Sequence, residues 1–326
     1  MKSILTIFIL PFFLTNINAQ FAPQVGEEGT TAIAATDENI INWAKTCAVN
    51  RGLLDIAEPD GAVAGAGSAD VAIGTSNGMT VSLGDGGTAI LTFEPPIRDG
   101  NGFDFAVFEN GFTSPEGDFL ELGFVEVSSN GEDFVRFAAS SLTPDGTAIG
   151  GFGTIDPTQI NNLAGKYYSG YGTPFDLSEL ADNPDLDLQN ITHIRIVDVV
   201  GTIEEEHASF DAEENKVVDP YPTAFPAGGF DLEAVAVLHE VGSVNIVESI
   251  DNELITVFPN PVQSGADLFL FFENEQAYKA VLRNVNGVEV GVFENEKIQL
   301  SQLEKGVYFV GISMNKQQII KRVIVL

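Results

Sequence analysis

Two short stretches echo each other: Gly102-Phe103-Asp104-Phe105, followed by Ala106-Val107, and Gly229-Phe230-Asp231-Leu232, followed two residues later by Ala234-Val235. In an extended chain successive side chains leave on opposite faces, so each aspartate points away from the apolar residues beside it. Glu109 and Glu233 follow close behind, and the four acids Asp104, Glu109, Asp231 and Glu233 make a candidate set of hard oxygen donors. Calcium gathers about six to eight such oxygens. A structural Ca²⁺ is therefore the expected cofactor, with simple solvent exposure of the two aspartates as the alternative. Asp182-Asn183-Pro184-Asp185-Leu186-Asp187 has the carboxylates of an EF-hand loop but lacks its glycine and closing glutamate.

A second group of residues could recognise rather than coordinate. Tyr167, Tyr168 and Tyr171 stand among glycines ahead of Phe175, and Tyr221 lies in the proline-rich stretch Asp219 to Pro226. Flat amphipathic rings on irregular backbone suit stacking on a ligand. The alternative is that the rings plug the ends of a β-sandwich.

Catalytic arrangements are scarce. His193, His207 and His239 are the only histidines, and none sits in a zinc-binding spacing. No Ser/His/Asp order stands out. Gly84-Asp85-Gly86-Gly87 lacks the lysine of a phosphate loop and reads as a tight turn. A glycosidase needs only two carboxyls at the right separation, and Glu109, Glu121 and Glu126 lie on or near candidate strands. A secreted carbohydrate-active hydrolase is thus the alternative to non-catalytic ligand binding.

The elements that must position these residues are strands. Turn signals recur throughout a chain of 326 residues with 33 Gly and 15 Pro, which favours an all-β fold. Strands are expected at Thr88 to Phe93, Phe103 to Glu109, Gly123 to Ser128, Ile191 to Val199 and Leu232 to His239. A hairpin is expected at Ser129-Asn130-Gly131-Glu132. Helices are expected over Thr36 to Ala48, where Ile40, Ile41, Ala44 and Cys47 share a helical face, and over Asp176 to Ala181.

The organisation reads as a signal peptide over residues 1–19, a β-sandwich cargo over 20–245, a linker over 246–254 and a small closing unit over 255–326. Hairpin signals in that unit fall at Asn286-Gly287 and Lys305-Gly306. The leader has Lys2 and an apolar run from Ile4 to Leu14, too short to span a bilayer. Cys47 is the sole cysteine, so no internal disulfide can form, and a buried inert thiol is expected. Of the net charge of −32, residues 241–326 account for only −3 (seven Lys/Arg against ten Asp/Glu), leaving −30 on residues 21–240. Such a field repels nucleic acid and anionic membranes.

Three pieces of the closing unit carry a resemblance: the entry Val257 to Gly265 (VFPNPVQSG), the stretch Leu303 to Ile312 (LEKGVYFVGI) and the ending Ile319 to Leu326 (IIKRVIVL). Together they resemble the sorting domain of the type IX (Por) secretion system. The resemblance implies a small immunoglobulin-like sandwich, with Pro259, Asn260, Pro261, Gly306, Lys321 and Arg322 as the sorting signal. It also implies the type IX translocon and sorting machinery as partners, and passage through the periplasm and outer membrane to the cell surface or medium. Residues 60–240 are similar to bacterial cell-surface proteins with a jelly-roll-like domain, on stretches such as Gly102 to Phe112 and Gly228 to Glu240. Some of those accompany outer-membrane uptake, which implies a transporter partner and capture of a glycan or corrinoid.

Overall fold

A computed structural model describes residues 21–242, 255–272, 279–284, 288–293, 297–300, 303–314 and 317–326. The expected signal peptide and the linker 246–254 lie outside the described residues. The chain divides into two compact units between residues 243 and 244.

The first unit is an antiparallel β-sandwich. One sheet has the order Ile33–Ala34, Tyr171–Phe175, Phe105–Phe108, Ala234–Val237, Asn42–Trp43. The other runs Val135–Arg136, Gly123–Ser128, Ile191–Asp198, Thr88–Ile97, Thr46–Asn50, with Leu163–Ala164 also paired to Gly123–Ser128. Alternation decides what each face buries. Phe105, Val107, Val235 and Val237 meet Leu91, Val127 and Ile194 of the opposing sheet in one core. The intervening Ala106, Phe108, Ala234 and Ala236 pack outward under Trp43, Ile33 and Ile40. A sheet covered on both faces explains why these strands read as continuous apolar runs.

Local turn chemistry closes the expected hairpin. Asn130 Oδ1 accepts the Asp133 N–H at 3.0 Å, and Val135 and Arg136 then pair with Val127 and Glu126. The glycine turn forms too: Gly84 (φ +75°) and Gly86 (φ +69°) are left-handed, and the Gly87 N–H reaches Gly84 O at 2.8 Å. A Cβ at Gly87 would lie 2.1 Å from Leu83 O, so no other residue fits there.

The helix expected over Thr36 to Ala48 does not form. Asn42–Trp43 pairs with Ala236 and Val237, and Thr46–Asn50 pairs with Thr88 to Thr92. Cys47 and Val49 pack on the core while Thr46, Ala48 and Asn50 face out, a period of two. Pairing with a sheet edge outweighs a weak helical preference. Asp37, the expected cap, instead accepts the Asn39 N–H at 2.8 Å in an Asx turn. The second expected helix forms as a 3₁₀ turn, Leu177–Leu180, capped by Asp176.

The second unit is a small sandwich of three strands (Ile255–Phe258, Asp267–Phe272, Lys297–Gln299) and four (Glu289–Phe293, Lys279–Asn284, Gly306–Met314, Gln317–Val325). Leu268 and Leu270 from the first sheet pack with Leu282, Val310, Ile312 and Val323 from the second. Asn286-Gly287 lies outside the described residues, although the strands flanking it pair. Lys305-Gly306 is not a hairpin: Lys297–Gln299 before it and Gly306–Met314 after it belong to different sheets.

Candidate functional site

The strands Phe105–Phe108 and Ala234–Val237 set the acids in place. Their register pairs Phe105 with Val237 and Phe108 with Ala234. Beyond that end lie Glu109, next after Phe108, and Glu233, just before Ala234; the Glu233 N–H donates to Phe108 O at 3.0 Å. One step beyond the other end, Asp104 stands opposite Leu238, whose N–H reaches Asp104 O at 2.8 Å. Five residues of strand, about 17 Å, separate Asp104 from Glu109. The four expected donors therefore do not converge: Asp104 lies at one end of the pair, and Glu109 and Glu233 at the other. Neither aspartate is solvent-exposed either, Asp104 being 0% and Asp231 7% accessible.

At its end, Asp104 is fully hydrogen-bonded. Oδ1 accepts from Gly100 N and His239 Nδ1, each at 2.8 Å, and Oδ2 accepts from Leu177 N at 2.8 Å. Asp99 and Asp176 bring carboxylate oxygens to within 4.8 Å of it and of each other. The Asp99 carboxyl is pushed up by burial and then by Asp104 and Asp176.

The other end opens onto a set of buried acids. Glu109 Oε2 accepts the Gly111 N–H at 2.7 Å, and Glu233 Oε1 accepts from Ser76 Oγ and Gly78 N, both at 2.6 Å. Asp231 accepts from Ser82 Oγ and, at 2.9 Å, from Asn110 Nδ2. Asp198 clamps the glycine turn, accepting from Gly86 N at 2.9 Å and Phe230 N at 2.6 Å, and Asp219 accepts from Leu122 N at 2.8 Å. Burial, and then mutual repulsion, pushes Glu109, Glu121, Asp198 and Asp219 well above the usual carboxylate range. Asp85 is raised to about 6, chiefly by burial. Glu109 feels Asp231 and Glu233, and Glu121 feels Glu109, Asp219, Asp231 and Asp198, so these groups form one electrostatic community. Arg51 moderates Asp231 alone among the raised carboxyls here.

Of the expected hydrolase trio, Glu126 is engaged by arginines, whereas Glu109 and Glu121 lie in the buried acid set. Glu126 is held between Arg136, at 2.7 Å, and Arg195 on the two neighbouring strands. Each of its two oxygens is therefore engaged by a guanidinium. Glu109 and Glu121 are buried, 1% and 4% accessible. Two surface cavities, of about 350 and 510 Å³, are lined instead by residues including Gln24, Glu27, Asp118 and Thr158.

The expected stacking rings scatter. Tyr167 and Phe175 are each 1% accessible: the Tyr167 hydroxyl is 2.8 Å from Thr31 Oγ1, and Phe175 stacks on Phe105 at 5.2 Å inside the core. Tyr168 and Tyr171 are half-buried and meet edge to face at 5.8 Å. Tyr221 is half-buried, and its hydroxyl donates to Asp55 at 3.0 Å.

A different set of rings reaches the surface. Phe112 and Phe119 face each other across the hairpin Phe112–Ser114/Gly117–Phe119 and stack at 5.0 Å. Phe119 meets Phe152 at 6.3 Å, and Phe152 stacks on Phe225 at 6.2 Å. Phe152 is 80% and Phe112 52% accessible. The three segments are tied by the Ile155 N–H to Asp118 O at 2.9 Å and the Tyr221 N–H to Gly150 O at 3.3 Å. Of these rings only Phe225 fell within a stretch that reads as recognition loop. The available signal for the others was the pair of phenylalanines flanking a Ser-Pro-Glu-Gly turn.

In the closing unit, entry and ending come together. Asn260 Nδ2 donates to Arg322 O at 2.6 Å, and Asn260 Oδ1 accepts the Ile324 N–H at 2.9 Å. Val262 then forms a parallel bridge to Val325, with its N–H on Ile324 O and the Leu326 N–H on its own carbonyl, both at 2.8 Å. Pro259 and Pro261 flank Asn260 on the surface, Gly306 pairs with Val325, and Lys321 and Arg322 pair with Val310 and Phe309. Residues 256–326 match the family described as the secretion system C-terminal sorting domain. The chain carries a type IX sorting tail. With its sorting tail, the protein is a type IX secretion cargo, exported to the cell surface or the medium, and it engages the type IX machinery.

No curated protein matches the chain. Among solved structures, the β-glucuronidase of Ruminococcus gnavus in complex with D-glucaro 1,5-lactone is 10% identical at a TM-score of 0.17, over 74% of this chain and 36% of that one. The apo β-glucuronidase 3 of Bacteroides uniformis is 12% identical at a TM-score of 0.22, over 90% of this chain and 35% of that one. The chain spans about a third of the length of these structures, and likeness at this level says nothing about activity.

Proposed function

We propose that the exported sandwich is a non-catalytic module that captures a glycan at the cell surface through the phenylalanine platform. The observation that carries this reading is the unbroken series Phe112, Phe119, Phe152, Phe225, centred 5.0 to 6.3 Å apart, with Phe152 left 80% accessible. An apolar ring exposed to that degree gains nothing for folding, and successive rings suit a ligand with successive apolar faces, as linked pyranoses have. The charge of −30 on residues 21–240 selects against uronic and sulfated chains and favours neutral or cationic ones. Surface capture of such a chain would serve its delivery to an outer-membrane transporter.

Affinity electrophoresis of the purified protein through gels containing xylan, chitosan or polygalacturonate tests the reading. Retardation by xylan or chitosan, lost in Phe152→Ala, is expected, with no reducing ends released from either. Free migration in all three gels, or equal retardation of wild type and Phe152→Ala, would overturn it.

A further inference from the structure

The pair Glu109 and Glu233 has a feature that no other partner in the fold accounts for. Both side chains are 1% accessible, and each leaves one oxygen buried without a hydrogen bond: Oε1 of Glu109 and Oε2 of Glu233. Glu109 follows Phe108 and Glu233 precedes Ala234, so the two residues flank the same end of one strand pair. The two carboxyls are near enough at that end to repel each other, and each is fixed through one oxygen and unpartnered at the other.

That arrangement is costly unless something compensates it. An ionised carboxylate in the interior needs a counter-charge, and an unpaired buried oxygen forfeits its hydration without return. Among the described residues no Lys or Arg pairs with Glu109 or Glu233, whereas Asp104, at the far end, has His239 as well as two backbone N–H groups. A neutral oxygen is at hand next in the chain: Asn110 uses its Nδ2 on Asp231 and keeps Oδ1 as an acceptor. Gly111 sits tightly here, since a Cβ there would meet Glu109 Oε2 at 3.1 Å and Phe119 O at 3.0 Å. We infer that Glu109 and Glu233 hold one hard divalent cation of the calcium class through Glu109 Oε1 and Glu233 Oε2.

The set of acids matches calcium better than a transition metal, because it offers carboxylates and an amide with no thiolate or imidazole. Asp99, Asp104 and Asp176 form the closest acidic triad in the described residues, but both oxygens of Asp104 are committed and Asp176 caps Ser178. Asp99 Oδ1 in that triad is also buried without a hydrogen bond, but it is a single such oxygen where Glu109 and Glu233 offer two.

The test uses the full exported chain, stripped with EGTA and titrated with CaCl₂ or MgCl₂. Equilibrium dialysis against CaCl₂ at about ten times the dissociation constant is expected to give about one equivalent of calcium above the dialysate. Affinity is expected in the range of extracellular modules, about 10⁻⁴ to 10⁻³ M. Calcium at ten times the dissociation constant should raise the melting temperature of the first unit by about 3 °C. Glu109→Gln and Glu233→Gln should each abolish that rise, and Asp99→Asn should keep it. Wild type that binds no calcium and melts identically with and without it would overturn the inference, and that experiment needs no variant to fold. A calcium response lost in Asp99→Asn but kept in Glu233→Gln would also overturn it. Stabilisation by acid alone, indifferent to calcium, would mean that the pair shares a proton instead, and would overturn it equally.

Discussion

His239 Nδ1 lies 2.8 Å from Asp104 Oδ1, joining the end of one central strand to the start of its neighbour through a carboxylate with no solvent contact. The same carboxylate holds the Gly100 and Leu177 amides, so it ties three loops at that end of the sandwich. Asp104→Ala strands three donors and should cost about 3 kcal/mol or more. His239→Ala leaves the two backbone donors in place and should cost only about 1 to 2 kcal/mol. Gly100→Ala should resemble it, because a Cβ at that position would lie 2.4 Å from the imidazole. Urea unfolding midpoints at constant slope decide the order, and a larger loss in His239→Ala than in Asp104→Ala would refute it.

The buried acids reverse the usual dependence of stability on pH. Asp85 titrates at about 6 in the folded chain against an ordinary 3.8, so the native state binds more protons than the unfolded one in that window. Stability from this group is complete below about pH 4 and is lost as the pH rises through about 6. Glu109, Glu121, Asp198 and Asp219 shift in the same direction and carry the loss toward higher pH. In EGTA the first unit should therefore melt at a higher temperature near pH 5 than near pH 7.5, and Asp85→Asn should flatten the difference. A melting temperature that climbs with pH over this range would count against the burial of these groups.

What the residues alone reveal depends on how local the cause is. The turn at Ser129 to Glu132 and the strand Gly123–Ser128 are legible because Asn-Gly chemistry and continuous apolar runs act over a few residues. Thr36 to Ala48 misleads because its state is decided by sheet edges more than forty residues away in the chain. The Phe-Asp echo points to the paired central strands, yet it misplaces the acids for a geometric reason. Antiparallel neighbours send equivalent positions to opposite ends, so Asp104 cannot share a site with Glu109 and Glu233. The phenylalanine platform draws on three separate segments, and no spacing within the chain announces it.

Cys47 should be a slow thiol. It lies half-buried on Thr46–Asn50 against the core, and burial pushes its pKa up to about 11. At pH 8 its thiolate fraction should be roughly two hundredfold below that of a free cysteine, and alkylation slows in proportion. Since it is the sole cysteine, iodoacetamide labelling followed by intact mass reads it without ambiguity. Native labelling as fast as labelling in urea would rule out this packing.

Asn260 closes the sorting tail by doing for one residue what a strand does for many. Its amide supplies a donor to Arg322 O and an acceptor to Ile324 N–H, so the edge of Gln317–Val325 is capped where Pro259 and Pro261 have no N–H to offer. The bridge from Val262 to Val325 begins immediately afterwards, which makes Asn260 the first clasp between the entry and the end of the chain. Asn260→Ala exposes both strand groups to water rather than burying them, so the loss to the tail should be modest, about 1 to 2 kcal/mol. Asn260→Asp keeps the acceptor for Ile324 and loses the donor to Arg322, and should fall between. Amide exchange at Ile324 and the fraction of protein reaching the medium should decline together in the order wild type, Asn260→Asp, Asn260→Ala. If exchange quickens while export is unchanged, the machinery reads the segment's residues and not the closed end of the sandwich.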